Sequence, residues 1–181
     1  MQTKMNYKNN EQIQEKEKIR YLTISGIMAA LITLMTAYVC HIPVGANGGY
    51  IHFGDSLIYL AAVLLPRPYA LAAAAIGGGL ADLLTAPMWA PATIIIKMLI
   101  AFPFNNGSKK IVTIRNVMAS VLAYFISGIG YFLAQYLIFG TWSVFLVSMV
   151  ESLIQSAGSA ILFIIIGIAM DKAHIKARFF E

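Results

Sequence analysis

Apolar residues along the chain occur in six runs, and the connections between them differ sharply in charge. The runs are Tyr21–His41, Phe53–Leu65, Tyr69–Ala86, Pro91–Phe104, Val117–Phe139 and Ser143–Ala169. Since a bilayer core of about 30 Å needs roughly 20 apolar residues per helical crossing, this pattern predicts an all-α membrane protein with six transmembrane helices. The second and fourth runs are short and would cross with help from neighbouring residues or by local thinning of the bilayer.

Composition supports a membrane protein and excludes several other classes. Of 181 residues, 59% are hydrophobic and only 12% are charged, which is unlike a soluble domain. Residues 1–20 are polar and are predicted to form a cytosolic segment, not a signal peptide, ahead of a transmembrane domain at 21–181. The net charge of +5 does not indicate nucleic-acid binding, because the basic residues flank the apolar runs. A lone cysteine, Cys40, excludes an internal disulfide.

The distribution of basic residues predicts the orientation of the helices. Lys and Arg occur in the N-terminal tail, at Arg67, in the connection containing Lys109, and after the last run, whereas the alternate connections contain none. Under the positive-inside rule, both termini are cytoplasmic and the uncharged connections face outward. An even number of crossings is required for both tails to lie on the same side.

Four ionisable residues fall within or at the edge of the predicted spans: Asp55, Asp82, Lys97 and Glu151. A charge at the bilayer centre costs at least about 2.5–3.5 kcal/mol, so each needs a partner, water or a function. At about 1.5 Å per residue, Lys97 and Glu151 lie roughly 10–13 Å below the external surface. Because all four lie toward the outside, they predict a pocket that opens outward instead of a path through the membrane.

Polar stripes on the last two helices extend this prediction. Residues at three-to-four spacing share a helix face, and such spacing relates Tyr131 to Gln135 and Glu151 to Gln155. Trp89 and Trp142 stand at the outer rim, where they could stack on a flat ring. Three simpler interpretations remain open: Lys97 and Glu151 as a structural ion pair, the tryptophans as interfacial anchors, and the stripes as interhelical hydrogen bonds.

The external connection PVGANGGYIHFGDS contains four glycines, three of them before Tyr50, and neither Lys nor Arg. Glycine tolerates unusual backbone conformations, so this connection, which includes Asn47, is predicted to fold over the pocket as a lid. His52 is expected at the rim, and Asp55 is expected to cap the free amides of the second helix. The alternative is a passive turn before a capped helix.

Three stretches together are similar to a known family: SGIMAALITLM in the first helix, GGYIHFGDSLIYLAAVLLP in the second, and AIGGGLADLL in the third. They resemble the S components of energy-coupling factor (ECF) vitamin transporters. The resemblance covers nearly the whole chain from Tyr21. It implies a six-helix subunit of a bacterial plasma membrane that captures a vitamin from outside, with partners comprising a transmembrane coupling protein and two cytosolic ATPases.

The resemblance also implies roles for particular residues. Gly26 and Ala30 match the family's small-residue pattern, which packs against the coupling protein because small side chains let helices approach closely; an intramolecular groove is the alternative. The expected substrate-binding residues follow from the stripes, the rim and the resemblance together, namely Lys97, Glu151, Asn47, Trp89, Trp142, Tyr131, Gln135 and Gln155.

An acid and a base in an aromatic pocket suit a small heteroaromatic ring. Within the family, the chain most resembles the subgroup assigned to hydroxymethylpyrimidine, a thiamine precursor. The resemblance therefore implies hydroxymethylpyrimidine as the substrate, with the nearly isosteric pyridoxine as the competitor. Neither a cofactor nor a metal is expected, and the absence of nucleophile, zinc-protease and P-loop motifs indicates that the chain is not itself an enzyme or ATPase. A stand-alone secondary transporter or channel is the main alternative, and an intramembrane enzyme or structural subunit is another.

Overall fold

In the computed structural model of the protein, residues 2–39, 41–44 and 49–179 are described, and most of them are helical. The elements are α1 Gln2–Ala37, β1 Ile42–Val44, β2 Gly49–Ile51, α2 Asp55–Leu64, α3 Arg67–Thr85, α4 Ala90–Ala101, α5 Ile114–Phe139, α6 Phe145–Lys172 and α7 Ile175–Phe179. Single 3-10 turns at Pro87–Trp89 and Trp142–Val144 precede α4 and α6.

Each of the six predicted runs forms one helix, but the helices differ in length. Four of them are long and apolar enough to cross a membrane: residues 11–37 of α1, and α3, α5 and α6. The other two, α2 with 10 residues and α4 with 12, are shorter apolar helices. The polar N-terminal residues continue α1 without a break.

Local sequence explains where several helices begin and end. Thr113 caps α5 by accepting a hydrogen bond from the backbone N–H of Asn116 at 3.2 Å, as N-cap threonines do. Gly140 ends that helix in the left-handed conformation, with φ of 68°, which glycine adopts without steric penalty. Proline follows Arg67 in the first turn of α3, where its missing N–H has no consequence.

Helix α2 lies at the centre of the bundle, which accounts for its shortness. Nine of its ten residues are buried, and it packs against α1, α3, α4 and α6. A buried helix presents no face to lipid, so its length is set by its neighbours and not by the bilayer. Its first residue, Asp55, therefore lies inside the protein at the end of the bundle that carries the β-hairpin.

A triplet of glycines in α3 allows its neighbours to approach closely. A Cβ atom on Gly77 would lie 2.7 Å from Cβ of Ile32 in α1, and one on Gly78 would lie 2.6 Å from Cγ of Lys97 in α4. Both distances are shorter than real Cβ contacts, so side chains cannot be accommodated there without rearrangement. The triplet thus packs α1 against one face of α3 and makes room for the aliphatic stem of Lys97 on another.

The connection between α1 and α2 forms a short antiparallel hairpin that the hydrophobic pattern did not predict. Ile42 pairs with Ile51 and Pro43 with Tyr50. Residues 45–48, which include Asn47, lie outside the described part of the chain. The hairpin brings Tyr50 and His52 to the end of the bundle at which α2 begins.

Candidate ligand-binding site

A polar cavity of about 60 Å³ lies between the hairpin and the ends of α3, α5 and α6. That is room for roughly four ordered water molecules. Every residue in its wall has a polar atom in its side chain: Tyr50, His52, Asp82, Trp89, Tyr131, Gln135, Ser148, Glu151, Ser152 and Gln155. Ligand pockets are usually mainly apolar, so this wall is unusually rich in hydrogen-bonding groups for a bundle of such apolar helices.

Lys97 does not line the cavity; it is buried beneath it in an ion pair. Its ammonium nitrogen lies 2.7 Å from Oδ1 of Asp55, and the two side chains are 1% and 0% exposed. Nε2 of Gln155 donates to the other carboxylate oxygen of Asp55 at 2.9 Å. Asp55 therefore joins α4 to α6, and the alternative interpretation of Lys97 and Glu151 as a structural ion pair is wrong.

The expected capping role of Asp55 is also wrong. Gly54 occupies the N-cap position of α2, and no side chain caps the helix. A buried carboxylate gains more from a charged partner than from a backbone amide, because an unpaired buried charge is strongly destabilising. The Asp55 side chain accordingly turns toward Lys97.

His52 is buried, not a rim residue as expected. It is 3% exposed, and its Nδ1 accepts a hydrogen bond from the backbone N–H of Gly54 at 3.0 Å. Burial, together with the positive charge of Lys97, lowers the pKa of His52 to about 3. The imidazole is therefore neutral near pH 7, which leaves Nδ1 free to accept this hydrogen bond.

The two tryptophans have different environments. Trp89 is 5% exposed and forms part of the cavity wall, in edge contact with the ring of Tyr131. Its buried Nε1–H has no hydrogen-bond partner among the described residues, and an unpaired buried donor is unfavourable unless something occupies the site. Trp142 is 67% exposed and packs on Phe132 and Tyr136, so Trp89 belongs to the cavity wall and Trp142 does not.

Two further contacts tie the hairpin and α5 to the cavity. The hydroxyl of Tyr50 donates to Oδ1 of Asp82 in α3, and the Tyr50 ring stacks on His41 with centroids 3.9 Å apart. Burial and the neighbouring carboxylate raise the pKa of Tyr50 above its ordinary value, so its hydroxyl keeps the proton that it donates. On the opposite side, the hydroxyls of Tyr131 and Thr93 lie 3.0 Å apart.

The structure thus brings together most of the predicted binding residues. Trp89, Tyr131, Gln135, Glu151 and Gln155 share one wall, while Lys97 lies beneath it and Trp142 lies outside. Asn47 lies outside the described residues. Five wall residues were not among the expected substrate-binding residues: Tyr50, His52, Asp82, Ser148 and Ser152. Asp82 was detectable as a carboxylate in an apolar run, whereas nothing local marked Tyr50.

Gly26 and Ala30 lie on an exposed face of α1. No atom comes within 4 Å of a Cβ built on Gly26, so the alternative of an intramolecular packing groove is wrong for this position. The exposed neighbours on the same helix include Leu22 and Ile27. This surface is therefore largely apolar, and it is open at Gly26.

Among the described residues, no group of three His, Cys, Asp or Glu side chains is arranged to hold a metal ion.

Comparison with known proteins places the chain among membrane transport subunits. The model of a family described as "ECF-type riboflavin transporter, S component" matches residues 16–172. A protein of Pyrococcus woesei with the name "Uncharacterized protein in gap 3'region" is 32% identical to this chain over 109 residues. Those residues are 59% of this chain and 72% of that protein. The matched family consists of transporter subunits, not catalytic enzymes.

Proposed function

The chain belongs to the ECF-type riboflavin transporter S component family, and from this premise we propose that it is the high-affinity substrate-binding subunit of a vitamin uptake transporter. The observation that carries the proposal is the polar cavity beneath the hairpin. Its wall combines hydrogen-bonding side chains from three helices with the Nε1–H of Trp89, which has no partner in the described part of the chain. Polar groups on several elements that converge on one cavity are what orient a small ligand.

The proposed substrate is a single heteroaromatic ring with polar substituents, such as hydroxymethylpyrimidine or pyridoxine. The cavity is small, at about 60 Å³, so one ring requires less displacement of the wall than a larger vitamin does. The carboxylate of Glu151 can accept hydrogen bonds from an amino group or a ring N–H, and Trp89 and Tyr131 offer aromatic surfaces to such a ring.

Riboflavin is the second candidate, because the matching family model carries its name. Its three fused rings and ribityl chain need a much larger cavity. The hairpin or the outer ends of α5 and α6 would have to move outward to admit it. The two candidates therefore differ in how far the protein must open.

Identification of the bound ligand tests both candidates. The full-length protein is purified in detergent from cells grown in rich medium, and its small-molecule extract is analysed by mass spectrometry. We expect one stoichiometric vitamin or precursor. Calorimetric titration with hydroxymethylpyrimidine, pyridoxine and riboflavin then ranks the candidates, and a protein that binds no vitamin contradicts the proposal.

The proposal includes six membrane crossings, both termini in the cytoplasm and a cavity that opens outward. The distribution of basic residues supports this orientation. A cysteine introduced at exposed Lys109, in the connection between α4 and α5, should be protected from a membrane-impermeant thiol reagent in intact cells. A cysteine introduced at partly exposed Thr141, in the connection between α5 and α6, should be labelled, and the reverse pattern would invert the topology. Native Cys40 is replaced by serine in both.

We also propose that the exposed face containing Gly26 and Ala30 docks on a transmembrane coupling protein that works with two cytosolic ATPases in a bacterial plasma membrane. Small residues on an open helix face favour close helix packing in lipid. Affinity purification of the tagged chain should recover these three partners. A secondary transporter or channel working alone would instead support uptake in cells and vesicles that lack the ATPases.

A further inference from the structure

The charges around the cavity differ from the acid–base pair expected from sequence. Two carboxylates, those of Asp82 and Glu151, belong to the cavity wall, and no Lys or Arg is among the wall residues. Lys97 is the nearest candidate for a compensating cation, but its ammonium group is already paired with Asp55. Lys97 contributes one positive charge, and Asp55, Asp82 and Glu151 contribute three negative charges, so the formal net charge of these four side chains is −2.

Neither wall carboxylate has a cationic partner among the described residues. Between described residues, the only ion pair is that of Lys97 with Asp55. Asp82 accepts a hydrogen bond from the hydroxyl of Tyr50, which is neutral and leaves the charge in place. Glu151 is half-buried on the α6 face of the cavity, close to the polar side chains of Ser152 and Gln155.

A second, independent observation indicates that this arrangement receives a ligand. The Nε1–H of Trp89, a residue 95% buried, belongs to the same wall and has no hydrogen-bond partner among the described residues. A buried polar group without a partner is costly, and a ligand oxygen or ring nitrogen in the cavity would satisfy it. Besides its other hydrogen-bonding groups, the wall thus offers two negatively charged acceptors and a buried neutral donor that has no partner among the described residues.

From this arrangement we infer that the cavity selects a ring ligand that carries a positive charge or several N–H donors, with Asp82 and Glu151 as the residues that determine this specificity. A cation or an amidine-like N–H edge pairs with the carboxylates through charge-assisted hydrogen bonds, which are stronger than neutral ones. An anionic ligand, such as a phosphorylated vitamin, would bring a third negative charge into a site whose described wall residues include no Lys or Arg, and is excluded. This inference rests on the proposed function and narrows its substrate class.

A charge series on one ring scaffold tests the inference. Pyridoxamine carries an ammonium group, pyridoxine is neutral and pyridoxal phosphate carries a phosphate, and all share the same pyridine ring. Calorimetric titration of the full-length protein in detergent should give affinities in that order, with at least tenfold between the first and the last. Raising the salt concentration should reduce the difference, because ionic attraction is screened.

Variants assign the effect to the two carboxylates. Glu151→Gln and Asp82→Asn each remove one negative charge and keep a hydrogen-bonding side chain. Each should reduce the preference for pyridoxamine over pyridoxal phosphate about tenfold or more. Glu17→Gln, which removes an exposed carboxylate on the N-terminal part of α1, is the matched control and should leave the preference unchanged.

The outcomes separate this inference from the function on which it rests. If the protein binds riboflavin or another vitamin but shows no preference across the charge series, the inference is wrong and the proposed function stands. Tight binding of pyridoxal phosphate would also contradict the inference and leave the proposed function standing. An unchanged preference for pyridoxamine in both carboxylate variants would do the same. If no vitamin binds and none co-purifies, both fail.

Discussion

The ammonium nitrogen of Lys97 and Oδ1 of Asp55 are 2.7 Å apart in a fully buried ion pair. The pair lies below the cavity and joins the first residue of the central helix α2 to α4. Gln155 adds a hydrogen bond from α6 to the same carboxylate. The Asp55 carboxylate therefore connects three helices, α2, α4 and α6. The main role of this ion pair is to stabilise the fold.

Breaking this pair on one side should destabilise the protein. Lys97→Met leaves the Asp55 carboxylate buried without its cation, which typically costs about 3–5 kcal/mol. The thermal unfolding midpoint in detergent, followed by circular dichroism, should fall clearly. The double variant Lys97→Met with Asp55→Asn should recover much of the loss, since no buried charge remains; a double variant as unstable as the single one would contradict this account.

Ligand binding should change the fluorescence of one tryptophan and not the other. The chain has two tryptophans: Trp89 is in the cavity wall, and Trp142 is outside it. Titration with the vitamin found by mass spectrometry should alter the emission of the Trp142→Phe variant as it does that of the wild type. The Trp89→Phe variant should lose the response, and a response that follows Trp142 would place the ligand elsewhere.

Replacement by alanine should destabilise the protein at Gly77 of α3 but not at Gly26 of α1. Gly77→Ala places a methyl group 2.7 Å from Cβ of Ile32 and 2.9 Å from the backbone oxygen of Ala29, and such overpacking typically costs about 1–3 kcal/mol. Gly26→Ala meets open space and should be neutral or slightly stabilising, since alanine is the better helix former. Thermal unfolding of both variants in one detergent gives the comparison.

A larger side chain at Gly26 should separate binding from uptake. Gly26→Leu fills the flat face proposed to dock on the coupling protein, so it should block vitamin uptake by cells while calorimetric affinity stays unchanged. Ala72→Leu, at an exposed position of α3, is the matched control and should support normal uptake. Normal uptake by Gly26→Leu would exclude this face as the docking surface.

Acid should destabilise the protein through His52. Its pKa is about 3 in the folded protein against an ordinary value of 6.5, so between these values the unfolded chain binds more protons and stability falls as pH falls. The decline begins near pH 6.5 and levels off near pH 3, and protonation also removes the acceptor for the Gly54 amide. Over this pH range, the free energy of unfolding should fall by on the order of a few kcal/mol because of His52.

The matched variant for this prediction is His52→Gln, which keeps a hydrogen-bond acceptor and does not titrate. Its unfolding midpoint should depend less on pH than that of the wild type between pH 6.5 and pH 4. Equal slopes for the two proteins over this range would show that other groups control the acid response.

Local pattern was sufficient to predict the helices. Long apolar runs must form helices in lipid because every backbone polar group needs an internal partner, so each of the six runs contains one. The same reasoning marked Glu151 and Gln155 as wall residues, since three-to-four spacing fixes which side chains share a helix face. It could not predict the hairpin, whose strands are three residues long and carry no alternating pattern.

The partners of the buried charges were decided by tertiary structure alone. Asp55 and Lys97 are 42 residues apart, and nothing in the sequence favours this pair over Lys97 with Glu151. The choice depends on how α2, α4 and α6 are rotated about their axes, and on the space that Gly78 leaves for the stem of Lys97. The sequence therefore determined which polar groups lie within the apolar runs, whereas the packing of the helices determined which charges pair with each other and which carboxylates line the cavity.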